Sequence, residues 1–307
     1  MGALKDLTIP LLPGRYYHIF NRGINRQGIF YDEDNYKYFL HKYAEKMTGY
    51  FDTYGYCLLE NHFHLFVKGV SADALLSKAI VDFDVVNRAF VKEYVLPWLR
   101  RIGLDILSVT LLQGEDFAGK GKDLTNFRNL LNQSGLPMKT GGVGMLERDL
   151  TNFRNLLNLY EQHGDTRSNP DAYPLNLSSS DFLEQLCSYV LSERFRGFML
   201  GYAKAINKQQ KRTGSLFQKA FRRKYIPDDE QEKKQVLCYI HHNPIHHHFS
   251  NDYGSYLWSS YNAFLSNSPT RLCRNEALHW FGNSDEFIVY SREYETRKKI
   301  SDWIIDV

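Results

Sequence analysis

A chain of 307 residues, 43% of them hydrophobic, holds enough apolar material for one large domain or two small ones, which excludes a globally disordered protein. No apolar run is long enough to span a membrane, and Met1 to Asp6 lacks a signal-peptide pattern. A net charge of +3 is close to balance and excludes nothing about partners, so the placement of charge matters more than its sum.

Residues 15–22 alternate and carry Tyr16, Tyr17, His18, Ile19 and Phe20, which predicts a first strand. A polar, glycine-bounded loop follows at 23–28. Asp32 is placed to cap a helix in which Tyr36, Phe39, Leu40, Tyr43 and Met47 recur at three-to-four spacing, and Gly49 ends it. Two further strands, 52–59 and 62–68, meet at Glu60-Asn61. Successive strand side chains point to opposite faces, so His62, His64 and Phe66 share one face while Phe63, Leu65 and Val67 share the other. The apolar face is expected to pack on helices, with both imidazoles projecting from the opposite one, where they can hold one metal ion. A lone H-x-H is more often an ordinary edge strand, because short motifs match by chance. Strand, helix, strand, strand is the first part of a ferredoxin-like sheet, which needs one more helix and strand.

Residues 71–185 interrupt that plan. Residues 75–99 have a helical pattern, and 104–112 fit either a strand or a helix. Asp123 to Asn132 recurs without change as Asp149 to Asn158. Two copies are too few for a solenoid, so a local duplication folded as a helical hairpin is expected, with no function of its own. Gly114 to Gly121 approaches a nucleotide-binding P-loop, but Gly121 stands where a Ser or Thr should hold Mg²⁺. Residues 164–180 read as a linker. The expected organisation is a split domain of 1–70 and 186–250, a mainly helical insertion at 71–185, and a tail at 251–307. Four widely spaced cysteines without a C-x-x-C suit reduced thiols in a cytoplasmic protein.

A helix is expected from about Asp181 to Val190, and a longer one then carries Phe195, Phe198, Met199, Tyr202 and Ile206. From Arg194 to Pro227 no acidic residue occurs, and Lys204, Lys208, Lys211, Arg212, Lys219, Arg222 and Arg223 lie among Phe217, Phe221 and Tyr225. Basic residues interleaved with aromatics suit a phosphate-tracking surface with stacking platforms, hence nucleic acid. Residues 221–226 would be the last strand. Pro227 to Glu230 opens another helix, expected to run to about His242 and to be stopped by Pro244. Tyr239 and Asn243 are four apart and share a helix face. If that face docks beside His62 and His64, two imidazoles and an amide can bind a divalent cation with a phenol nearby. A cation draws charge from a phosphodiester's non-bridging oxygens, and a tyrosine oxygen can then attack in line. A phosphotyrosine link keeps the energy of the broken bond, which suits strand transfer. Taken alone Tyr239 is weak evidence, since most of 21 tyrosines must be structural.

Leu58-Leu59-Glu60-Asn61-His62-Phe63-His64 resembles the His-hydrophobic-His strand of the HUH single-strand endonucleases. Tyr239-Ile240-His241-His242-Asn243-Pro244 resembles the catalytic helix of the REP-associated tyrosine transposases. Arg22 to Gln27, Arg212 to Gln218 and Trp258 to Tyr261 are similar to further stretches of that family, in the same order. The resemblance implies an α+β fold, a ferredoxin-like antiparallel sheet with helices on one face, carrying a mainly helical insertion. It implies metal-dependent nicking and strand transfer on single-stranded or hairpin, REP-like palindromic DNA through a 5′-phosphotyrosine. Tyr239 would be the nucleophile, and His62, His64 and Asn243 the ligands of Mg²⁺ or Mn²⁺. Imidazole ligands favour Mn²⁺ of the two. Arg22, Asn25, Arg26 and Gln218 would join the basic residues 204–223 in contacting DNA. No membrane is expected as a partner. The alternative is a non-cleaving nucleic-acid-binding module derived from a transposase.

Overall fold

The computed structural model describes residues 9–72, 74, 75, 78, 179–218 and 221–294. The internal repeat, the Gly114–Gly121 stretch, the 164–178 part of the expected linker and Lys219 lie outside the described residues. The chain divides into two compact units, one of residues 1–71 with 194–307 and one of residues 72–193. All that follows concerns the first.

Its order is β1 (Tyr16–Arg22), α1 (Glu33–Met47), β2 (Phe51–Leu59), β3 (His62–Gly69), the part from Arg194 of α2 (Ser179–Gln209), β4 (Arg222–Ile226), α3 (Glu230–His246), α4 (Tyr261–Leu265), α5 (Arg274–Phe281) and α6 (Ser284–Glu293). A single helix α2 stands where two were expected. The four strands form one antiparallel sheet in the order β2-β3-β1-β4. Asp32 does cap α1, accepting from Asn35 N at 2.9 Å, and Asp229 caps α3 by accepting from Glu232 N at 3.0 Å. Each supplies an acceptor to a backbone donor that has none within its helix.

Register assigns the faces. Across β1 and β3, Phe20 pairs with His64 and Arg22 with His62, and across β2 Cys57 pairs with His64. One face therefore carries His18, Phe20, His62, His64 and Phe66. The other carries Ile19, Phe63 and Leu65, and there α1 and α2 pack. Phe39 of α1 meets Phe63 at 5.2 Å between ring centroids, Phe198 at 4.9 Å and Tyr202 at 5.1 Å.

The expectation of helices on one face is corrected here: both faces are covered. Tyr16, Tyr54 and Phe66 make an aromatic layer on the histidine side that water would leave costly, and the C-terminal helices bury it. Trp280 of α5 stacks on Tyr54 at 4.9 Å. A bulge between Thr53 and Gly55 sets Gly55 opposite Phe66, on this same face. It leaves Thr53 on the α1 side, bonded to Tyr43 at 3.0 Å, while Tyr54 turns to Trp280. The imidazoles of His62 and His64 consequently do not project into solvent; both are fully buried.

The free edge of β2 is also closed. Leu58 N donates to Trp258 O and Ser260 N to Tyr56 O, both at 2.9 Å, so the Trp-Ser-Ser-Tyr stretch lies along it, joined by one bridge between Cys57 and Ser259. Residues 253–294 thus complete the core around α3, rather than trailing from it.

A candidate metal centre beside a buried tyrosine

Helix α3 crosses the histidine face of the sheet, and Gly55 sets how close it comes. A Cβ at Gly55 would lie 2.5 Å from Leu237 Cδ1 and 3.3 Å from Ser260 Oγ. That proximity puts the Tyr239 ring 5.6 Å from His18 and 5.9 Å from His64, both edge-on. Tyr239 is 1% exposed. Asn243, one turn on, is fully buried, and its Oδ1 has no hydrogen-bond partner among the described residues.

The expected stop at Pro244 is corrected: α3 continues to His246. Proline lacks the N–H that would bond the Ile240 carbonyl. Asn243 Nδ2 lies 3.5 Å from that carbonyl and donates to Tyr239 O at 2.8 Å, so an amide side chain serves the turn that proline disrupts. The extra turn matters because it delivers His247. Ligand atoms of His62, His64 and His247 all lie within 4.8 Å of one another. Nitrogens about 2.1 Å from one tetrahedral ion stand about 3.4 Å apart, within reach of small rotamer changes.

Sequence reasoning missed His247 because the proline rule ended the helix before it. The signal available was five histidines, His241-His242 and His246-His247-His248, flanking the Asn-Pro pair. The first two have structural partners: His241 Nε2 is 2.8 Å from Ser260 Oγ, and His242 Nε2 is 3.0 Å from Ser291 O.

The two buried imidazoles share one arrangement. His62 Nδ1 lies 2.6 Å from Asn61 Oδ1, and His64 Nδ1 lies 2.9 Å from His18 Nε2. Nε2 of each has no hydrogen-bond partner among the described residues. Burial, then His247 and Arg22, pushes the His62 pKa down to about 2. Burial, then Lys224, takes His18 to about 3. Burial, followed by the surrounding imidazoles, holds His64 well below the usual value. Neutral imidazoles keep the lone pairs that a cation needs.

The basic residues do not form one surface. Gly23 and Phe217 bridge, Ile24 N donates to Leu216 O at 3.0 Å and Gln218 N to Arg22 O at 2.9 Å, so the 22–27 and 212–218 stretches fold as one paired loop. Asn25, Arg26 and Lys211 are exposed on it, and Arg212 Nη2 donates to Gln27 Oε1 at 3.3 Å. Asn61 ties this loop to the histidines, since its Nδ2 donates to Arg26 O at 3.3 Å. Arg22 is buried beside His62; burial and then Arg26 lower its pKa. Lys204 and Lys208 are exposed on α2, in the layer opposite α3. Arg222 pairs with Phe20 on the histidine face, whereas Arg223 turns to the other face, donates to Ile9 O and lies over Phe221. Arg222 and Arg223 therefore cannot both serve a ligand at the histidine cluster.

Among the described residues no helix is long and apolar enough to cross a membrane. Compared with known proteins, the chain matches no family model and no curated protein. A solved structure of a REP-associated tyrosine transposase bound to a REP hairpin matches with 10% identity and a TM-score of 0.39, over 85% of this chain and 86% of that one. A score this low leaves the function to be read from the site itself.

Proposed function

We propose that this protein cuts and rejoins single-stranded or hairpin DNA in a metal-dependent reaction, with Tyr239 as the nucleophile. The observation that carries the reading is the Tyr239 ring edge-on to His64, beside a cluster of three histidines. The strand order with its intervening helices supports a ferredoxin-like catalytic core, and the paired basic loop at the same end of the sheet supports phosphate binding.

In this reading His62, His64 and His247 would hold the ion, with the buried Oδ1 of Asn243 as a further donor. When bound, it would withdraw charge from the phosphodiester and orient it. Imidazole donors favour Mn²⁺ or another transition ion over Mg²⁺. Arg22, Arg26 and Arg222 hold the DNA backbone. The Tyr239 oxygen forms a bond to phosphorus as the bond to the 3′-oxygen breaks. The phenolic proton ends on the departing oxygen, leaving a free 3′-hydroxyl and a 5′-phosphotyrosine. Reversal by a 3′-hydroxyl rejoins strands.

One observation favours the non-cleaving module instead: Tyr239 is almost wholly buried. Trapping the covalent adduct separates the two. Incubated with labelled hairpin DNA and Mn²⁺, the unmodified protein should give a denaturant-resistant adduct. Tyr239→Phe keeps the ring packing and should bind the hairpin without forming it. An adduct formed by Tyr239→Phe, mapped to another tyrosine by mass spectrometry, would overturn the assignment. No adduct with any hairpin or divalent ion leaves the binding module.

A further inference from the structure

Asn61 contributes no ligand to the histidine cluster, yet three of its atoms are engaged around it. Its Oδ1 lies 2.6 Å from His62 Nδ1. Its Nδ2 donates to Arg26 O at 3.3 Å. Its backbone carbonyl accepts from Gly23 N at 2.8 Å. The Arg26 contact fixes which way the amide points, because the reversed amide would set two oxygens against each other. An amide oxygen only accepts, so the proton of His62 belongs on Nδ1 and the lone pair on Nε2. Nε2 is the nitrogen without a hydrogen-bond partner among the described residues.

The turn that Asn61 grips is itself strained. Asn25 and Arg26 are consecutive residues at positive φ, 53° and 60°. Both are exposed. Gly23 permits the turn, since a Cβ there would stand 2.0 Å from Gln27 O. Two left-handed residues without glycine are costly, and such strain is kept where the surroundings hold it.

We propose that Asn61 is a positioning residue that holds His62 in its metal-binding tautomer and locks that ring to the basic turn 23–27. This rests on the metal reading above. A ligand histidine whose second nitrogen is held this way binds its ion more tightly, and removing such a partner costs about 10–100-fold in affinity. Asn61 links two parts of the sequence that the site needs in register: the turn offered to phosphate and the imidazole offered to the ion.

Two substitutions separate its two side-chain bonds. Asn61→Leu loses both, whereas Asn61→Asp keeps the acceptor for His62 and replaces the donor to Arg26 O by a second oxygen, which that carbonyl repels. Imidazole ¹⁵N shifts of the metal-free protein give the His62 tautomer, and calorimetric titration with Mn²⁺ gives affinity. The unmodified protein should show the proton on Nδ1. Asn61→Leu should lose that single tautomer and bind Mn²⁺ about 10–100-fold more weakly. Asn61→Asp should keep the tautomer and an affinity nearer the unmodified protein than the leucine variant, a rescue that a purely structural role would not produce. A proton on Nε2 in the unmodified protein, or an Asn61→Leu protein unchanged in both measurements, overturns the role of Asn61. An unmodified protein that binds no Mn²⁺ overturns instead the metal reading beneath it.

Discussion

Substituting Gly55 by alanine should disturb the site without touching any of its residues. The new Cβ would stand 2.5 Å from Leu237 Cδ1. Carbons in contact settle about 3.5–4.0 Å apart, an overlap of about 1–1.5 Å. Leu237 is wholly buried, so its methyl has little room to swing. Ser260 Oγ, 3.3 Å away, is held by Tyr56 N at 2.9 Å and His241 at 2.8 Å. The strain therefore passes into α3. Overpacking of this kind costs about 1–3 kcal/mol. Removing a glycine from the unfolded chain returns about 0.4–1 kcal/mol. A net loss of about 1–2 kcal/mol lowers the midpoint of thermal unfolding by about 2–8 °C. Tyr239 lies two residues beyond Leu237, and a misplacement of about 1 Å at a reacting group can cost about 100-fold in rate. Calorimetry and the hairpin-adduct assay read the two effects. Adding Leu237→Val removes one carbon where one was gained and should restore both. An alanine variant as stable and as active as the parent would refute the close approach of α3 to the sheet, as would a double variant no better than the single.

His247→Ala should weaken Mn²⁺ binding by calorimetry more than Asn243→Ala does, since the first removes a member of the histidine cluster and the second an amide already bonded within its helix; the reverse order would return the third ligand to Asn243. Metal-free protein should lose stability below neutral pH. His18, His62, His64 and His241 are all held below the usual 6.5 chiefly by burial, with His62 at about 2 and His18 and His241 at about 3. The unfolded chain therefore binds the extra protons, and as pH falls below 6.5 each histidine withdraws up to about 1.4 kcal/mol per pH unit. Urea midpoints at pH 7.5 and 5.5 should show the drop, and equal midpoints would mean these rings are not held neutral.

Much of this protein was legible from local pattern. Alternation located β1 to β3 and put His62 and His64 on one face, because strand side chains have a period of two whatever they pack against. Asp32 announced α1, and the four-residue spacing of Tyr239 and Asn243 placed them on one helix face, since caps and helical spacing depend only on near neighbours. Tertiary structure decided what depends on distant residues. Helices cover both faces of the sheet because Trp280, more than two hundred residues from Tyr54, stacks on it. Helix α3 outlasts Pro244, helped by the Asn243 amide at the interrupted turn, and the position of His247 beside His62 and His64 follows. Arg222 and Arg223, neighbours on a strand, must face opposite ways, but which of them shares the histidine face is decided only by pairing with β1. A proline rule or a run of charge states a local tendency; which side chain meets the site is settled by the contacts the whole chain makes.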